Sequence, residues 1–476
     1  MSKLVALDVG ASNLKAVLYD RDSGIVASAD AEYGQEPAPH RQNADSWWRA
    51  ARDAVLKLDS DDIEAVVLSG TMGNLILRDE EGTPLHSVLL YSNPCGYSHY
   101  EAMVRDLADV QPIIGNMPEP LMTAFKWCWF RDIAPGVVPR VRMVMAGAKD
   151  DLLFRLTGRA VTDPVTGSTT GLMDIVTRDW SDDMLARFRL TRDILPEILD
   201  PGALVGALRP EAAKHLGLRA GIPVINGCGD AGASTIGSFC DEAGDISLSI
   251  GETGWVARTI HINDFVEDRD VYRLAHPWHD LLIEISPVAL AASSLAWAQK
   301  ILSLKQEVLE QQLRAADAAP PNIVFLPYLS GQGASADEQQ MRGAFLGLDQ
   351  NHQTGDLYYA VLEGISFAMR AEIDRFDPRG PAHVALVGAG AASEVWPQLF
   401  ADALAHPVAM ISDPALSASL GVCRIAAAVL GWPSIEGQVR KDVFPRPDRA
   451  SRAERMREAF IRGTDIARVF APFLVD

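Results

Sequence analysis

Three short turns in this sequence combine glycine with small or polar residues: Gly10-Ala11-Ser12-Asn13, Gly251-Glu252-Thr253-Gly254 and Gly388-Ala389-Gly390-Ala391-Ala392-Ser393. Turns of this kind let backbone N–H groups converge on a phosphate chain, because the missing side chain admits close approach. Any one of them could equally be a tight connection with no ligand, and it is two accompanying carboxylates that give the set meaning. Asp8 ends the apolar run Leu4-Val5-Ala6-Leu7, where a carboxylate is costly unless it serves a metal, a cap or a charge partner. Asp230 stands in Gly227-Cys228-Gly229-Asp230-Ala231-Gly232, whose small residues leave it accessible and let a helix start behind it; capping that helix is its other role. Phosphoryl transfer needs one carboxylate to position Mg2+ and another to accept the proton of the attacking hydroxyl, and Asp8 and Asp230 are the candidates for these catalytic and metal roles.

The elements that must position them repeat. Leu4–Val9, Leu14–Tyr19 and Ile25–Ala29 read as consecutive strands of hairpins, with a helix capped at Asp45-Ser46 and carrying Trp47, Ala50, Ala51, Ala54, Val55 and Leu58 at helical spacing, then a buried-type strand over Ile63–Leu68. The pattern begins again with a strand at Pro223–Ile225, a Gly-rich segment and a strand at Asp245–Ile250. Helices over Leu357–Arg375 and Trp396–Leu404 then alternate with strands over His383–Val387 and Val408–Ile411. Duplicated α/β domains follow, with boundaries expected at 1–242 and 243–476.

A chain of 476 residues exceeds what one core accommodates, which agrees with two domains. The 63 acidic against 43 basic side chains, a net charge of -20, argue against nucleic-acid and membrane partners. No leader-type apolar stretch follows Met1-Ser2-Lys3, and the five cysteines lack a C-x-x-C pair, so free thiols in a reducing cytoplasm are expected. The ten histidines show no zinc-binding spacing, and His276 and His279 read as surface or cleft-lining residues.

The ordered set of motifs resembles the FGGY carbohydrate kinases along nearly the whole chain. Asp8-Val9-Gly10 through Lys15 is similar to the family's first phosphate hairpin, and Gly251-Glu252-Thr253-Gly254 to its second. Thr123 to Trp129 resembles the first family signature, with Lys149-Asp150, Leu156-Thr157-Gly158 and Thr162-Asp163 similar to the stretch that follows. Gly343 to Leu348, continuing to Glu363-Gly364, resembles the second signature, and Gly229-Asp230 falls at the family's catalytic aspartate. Gly388, Ala389, Gly390 and Ser393 look like the adenosine-binding turn. The resemblance implies two RNase H-like domains of the actin and hexokinase type flanking an active-site cleft, with ATP and Mg2+ as cofactors and a small sugar as partner; a homodimer is left open.

Departures from the family pattern bear on the acceptor. Ala11 replaces a hydroxyl residue, and Glu252 replaces another in the second hairpin. The sugar-binding W-x-D-x-R reads Tyr91-Ser92-Asn93-Pro94-Cys95, while Gly70-Thr71-Met72-Gly73-Asn74 is similar to the G-Q-M-H-G turn of the family's xylulokinases. Met72, Gly73, Tyr91, Asn93 and Asp230 are therefore the expected acceptor-binding residues, and a ketopentose such as xylulose the expected acceptor. Ribulose, gluconate or a glycerol-like polyol is the alternative. Two other readings compete: a Rossmann-type dinucleotide turn at Gly388-x-Gly390-x-x-Ser393, and a non-catalytic sugar- or nucleotide-binding pseudokinase motivated by Ala11, Glu252, Asn93 and Cys95.

Overall fold

A computed structural model describes residues 2–34, 38–58, 62–250, 254–266, 271–288, 290–303, 306–329, 340–376, 380–388 and 393–474. The elements used below are β1 (Lys3–Val9), β2 (Asn13–Asp20), β3 (Gly24–Glu32), α1 (Ala44–Val55), β4 (Ile63–Gly70), α2 (Thr123–Ile133), α3 (Ala148–Thr157), β5 (Leu204–Ala207), β6 (Pro223–Gly229) and α4 (Asp230–Gly237). They continue with β7 (Ile246–Ile250), β8 (Gly254–His261), α5 (Thr354–Phe376), β9 (Val384–Val387), α6 (Trp396–Leu404), β10 (Val408–Ile411), α7 (Ser417–Val429) and β11 (Arg440–Val443). Two compact units result, one formed by 1–241 with 260–283 and 416–439, the other by 242–259, 284–415 and 440–476.

In the first unit six strands pair in the order β5-β6-β4-β1-β2-β3. The β1–β2–β3 meander is antiparallel, whereas β1, β4 and β6 run parallel. Strands with helices on both faces must be apolar on both sides, and Leu4 through Leu7 are all buried. One face packs on α1 and α3 through Leu7, Val9, Trp47, Ala51, Leu152 and Leu153. The helix α1 is capped two residues before Asp45, because the Asn43 side chain accepts the Asp45 N–H and takes the capping position itself.

The second unit repeats the plan. An antiparallel hairpin, β7 with β8, lies beside β9 in parallel, and β10 follows in parallel, with β11 antiparallel at the end. The long helix α5 buries Tyr358, Tyr359, Val361, Leu362 and Ile365. The α/β class and the sheet-rich duplication expected from the sequence are both present. No described helix is long and apolar enough to cross a membrane.

The opposite face of the first sheet is closed by α4 and α7, which cross almost backbone to backbone. A Cβ on Gly421 would stand 1.8 Å from the Ala233 carbonyl oxygen, and one on Gly237 would stand 1.9 Å from that of Ser417. Neither obstruction is a side chain that can turn away. Gly421→Ala is therefore expected to lower the urea midpoint by the equivalent of about 2 kcal/mol or more, with the slope of the transition unchanged.

Candidate functional site

Parallel alignment brings the two carboxylates to one edge of the sheet. Asp8 lies opposite Ser69 of β4, Ser69 lies opposite Cys228 of β6, and Asp230 begins the helix that leaves β6 two residues later. The carboxyl ends of parallel strands are where open α/β sheets hold ligands. Asp230 is the first residue of its helix, behind Gly229 at the cap position; its side chain accepts only the Ala231 N–H at 2.9 Å, makes no capping bond, and faces a cavity. Burial first, then the negative charge of Asp8, push the Asp230 carboxyl up to about 7. Burial likewise raises the Asp8 carboxyl, against the opposing pull of Lys15 and Ser69. Asp8 Oδ1 is buried and has no hydrogen-bond partner among the described residues, an arrangement that suits a cation or its bound water.

The Gly10–Asn13 turn is braced from behind. The Tyr33 hydroxyl sits 2.8 Å from the carbonyl oxygens of both Gly10 and Asn13. Gln42 donates to the Ala11 carbonyl at 2.6 Å, and its own oxygen accepts from the Trp47 indole at 2.8 Å. With the carbonyls drawn to buried side chains, a replacement of the hydroxyl residue by Ala11 leaves the turn's geometry to its backbone. Lys15 lies opposite Asp8 on the neighbouring strand.

Beneath Asp230 is a fully buried ion network. Lys149 Nζ lies 2.8 Å from Asp150 and 2.9 Å from Asp163, and reaches the Asn226 side-chain oxygen at 3.3 Å. Asp163 Oδ1 in turn accepts the Gly229 N–H at 3.3 Å and the Thr166 N–H at 3.1 Å. The backbone immediately before Asp230 is thus tied to Lys149. A Cβ on Gly229 would stand 2.0 Å from the Met72 sulfur, so any larger residue there obliges the Met72 side chain to move.

A cavity of about 340 Å3 opens beside Asp230, lined by Ala11, Thr71, Met72, Gly73, Tyr91, Glu119, Leu121, Met122, Thr169 and Tyr272. The structure thereby brings together Asp230, Ala11, Met72, Gly73 and Tyr91 of the expected residues. It does not bring Asn93, whose side chain donates to the His40 carbonyl and caps a short turn through the Cys95 N–H, away from the lining. Glu119, Thr169 and Tyr272 were not foreseen, as no motif marks them. His276, expected at a surface or lining a cleft, is buried, bonds the Cys240 carbonyl, and is pushed down to about 3 by burial.

In the second unit Gly388 follows β9 at φ +86°, where a Cβ would stand 2.5 Å from the Ile250 carbonyl oxygen. This seats Gly388 against the end of β7. The Ser393 hydroxyl accepts the N–H groups of Val395 and Trp396 at the start of α6. Gly251, Glu252, Thr253, Ala389 and Gly390 lie outside the described residues.

Residues 3–237 match the N-terminal domain, and 284–430 the C-terminal domain, of the FGGY family of carbohydrate kinases. The chain is 30% identical over 437 residues to xylulose kinase of Escherichia coli strain K12, covering 89% of each. Among solved structures, a "xyloylose kinase" from Brucella ovis is 27% identical with a TM-score of 0.85, over 98% of this chain and 100% of that one. The xylulose kinase of Rhodospirillum rubrum, 24% identical with a TM-score of 0.85 over 99% of each chain, shares the fold.

A carboxyl raised from 3.8 to about 7 opposes folding wherever it is ionised in both states. That cost is present above pH 7, shrinks as pH falls towards 4, and vanishes once the unfolded chain is protonated too. Asp230→Asn is expected to raise the melting temperature at pH 8 and to leave it unchanged below about pH 4, as differential scanning fluorimetry across that range reads directly.

Proposed function

Because this chain belongs to the FGGY family of carbohydrate kinases, and is an ATP-dependent phosphotransferase acting on a small sugar, we propose that its acceptor is a neutral ketopentose of the xylulose type. The observation that carries this reading is the cavity wall. Hydroxyl groups of Thr71, Tyr91, Thr169 and Tyr272 line it, its acids are Glu119 and Asp230, and among the described residues no lysine or arginine side chain does. A sugar acid would add a negative charge beside two carboxyls, and among the described residues no cationic side chain lines the cavity to meet it directly. A polyhydroxylated neutral molecule instead finds donors and acceptors on several sides. The xylulose kinase relatives support the same choice.

Asp230 acts as the general base that takes the proton from the attacking hydroxyl, and a carboxyl held near neutrality is suited to that task. The backbone amides of Gly10 to Asn13, whose carbonyls are held from behind, bind phosphate oxygens beside Lys15. Asp8, whose buried Oδ1 has no partner among the described residues, would hold Mg2+ or a water bound to it. Mg2+ entering with ATP supplies charge neutralisation at the phosphates. Five free cysteines support a reducing, cytoplasmic setting.

An ADP-release assay with Mg-ATP and xylulose, ribulose, gluconate and glycerol is expected to give the highest kcat/KM for xylulose and no stimulation by gluconate; preference for gluconate would overturn the neutral-acceptor reading. Asp230→Asn should lower kcat by about a thousandfold while calorimetric ATP binding stays unchanged. The base works only when ionised, so kcat/KM should fall about tenfold per pH unit below about 7. Turnover that holds level down to pH 5 would remove Asp230 from this role.

A further inference from the structure

The helix α2 carries a lysine that the phosphoryl-transfer chemistry does not use. Lys126 is 0% exposed, and its ammonium group donates to three backbone carbonyls: Gly73 at 3.0 Å, Tyr91 at 3.4 Å, and Leu121. Among the described residues no carboxylate pairs with it. Burying an ammonium without a counter-ion is expensive, and three carbonyl dipoles offset that cost only while all three stay in place.

The three carbonyls belong to separate segments, and each segment supplies part of the cavity wall: Thr71, Met72 and Gly73 from one, Tyr91 from the second, Glu119, Leu121 and Met122 from the third. None of the segments is a long helix or strand that would hold itself. Asn74 helps, accepting the Tyr91 N–H at 3.1 Å and, through its carbonyl, the Thr123 hydroxyl at 2.9 Å. Lys126 hydrogen-bonds to all three. We propose that Lys126 is a positioning residue for the sugar acceptor, a buried cation that gathers three wall segments and so sets acceptor affinity without touching the reacting atoms.

The inference rests on the kinase reading only for its kinetic test. Burial pushes the Lys126 ammonium down to about 8, so its tie to the wall weakens as pH rises past that value. The titratable and charged groups around it are the Cys95 thiol with Arg41 beyond, and across the cavity Tyr91, Glu119, Asp230 and Tyr272. Burial holds Cys95 at about 11 and raises Tyr272 above its ordinary value, while Asp230 titrates on the acid side.

In the unsubstituted enzyme the KM for xylulose is expected to rise above about pH 8 while that for ATP stays level. Lys126→Met should raise the acceptor KM about tenfold or more at pH 7, leave kcat at saturating sugar within about threefold, and abolish the alkaline rise. Hydrogen exchange supplies a readout that needs no acceptor: peptides containing Gly73, Tyr91 and Leu121 should all exchange faster in Lys126→Met than in the parent. A level acceptor KM through the alkaline range, or unchanged exchange in the three peptides, would overturn the proposal. Should Lys126→Met fail to fold, the pH dependence of the parent enzyme still decides. If no sugar supports turnover in the parent, the acceptor assignment fails, and exchange at the three segments still judges Lys126.

Discussion

Two carboxyls at the same sheet edge, each resisting ionisation because of burial, with the charge of Asp8 adding to the resistance at Asp230, set the terms for the first unit. Left to relax, such groups would part or become exposed. The strands forbid the first, since β1, β4 and β6 are locked in register and Asp8 and Asp230 issue from their ends. The ion network beneath forbids the second. Lys149, Asp150 and Asp163 are fully buried, and burying such a triad is costly unless every donor and acceptor is matched. Here the matching is extensive: Thr162 and the Gly147 N–H serve Asp150, while Thr166 and the Gly229 N–H serve Asp163. The backbone ahead of Asp230 is one of those matched groups, so the helix start cannot drift without unpairing a buried charge.

The wall opposite follows a different rule. It consists of short segments from distant parts of the chain, and cations and amides rather than regular secondary structure unite them. Lys126 holds carbonyls, and Asn74 holds an N–H of Tyr91 and carbonyls of Thr71 and Ala146. Rigid chemistry on the sheet and an adjustable wall on loops is a division that lets one fold accept different small molecules.

Much of the frame could be read in advance because it is local. The apolar run in β2, the two-residue alternation in β3 and the helical spacing of Trp47, Ala50, Ala54 and Val55 are properties of neighbouring residues. Asp8 and Asp230 could be singled out because a carboxylate among apolar or glycine residues is conspicuous. Lys126 was visible within a family-like stretch, but nothing in Thr123–Trp129 tells that its ammonium reaches carbonyls 5 to 53 positions away. Glu119, Thr169 and Tyr272 join the cavity only through tertiary structure. Asn93 illustrates the opposite failure: a position matched to a binding motif is occupied by an amide that the turn before Cys95 and the His40 carbonyl both use.

The crossing of α4 and α7 carries a consequence for how the molecule is made. The helix that begins with Asp230 finds its backbone-close partner only at Ser417–Val429, nearly at the end of the chain. During synthesis the ribosome therefore releases β1 through α4 long before the helix that covers them exists. The apolar face formed by Ile236, Ala233 and the underside of the sheet must wait, in contact with water or a chaperone, until most of the second unit has emerged. Completion of the first unit is in this sense a late, long-range event, and a truncation that removes α7 would uncover the sheet that carries Asp8 and Asp230.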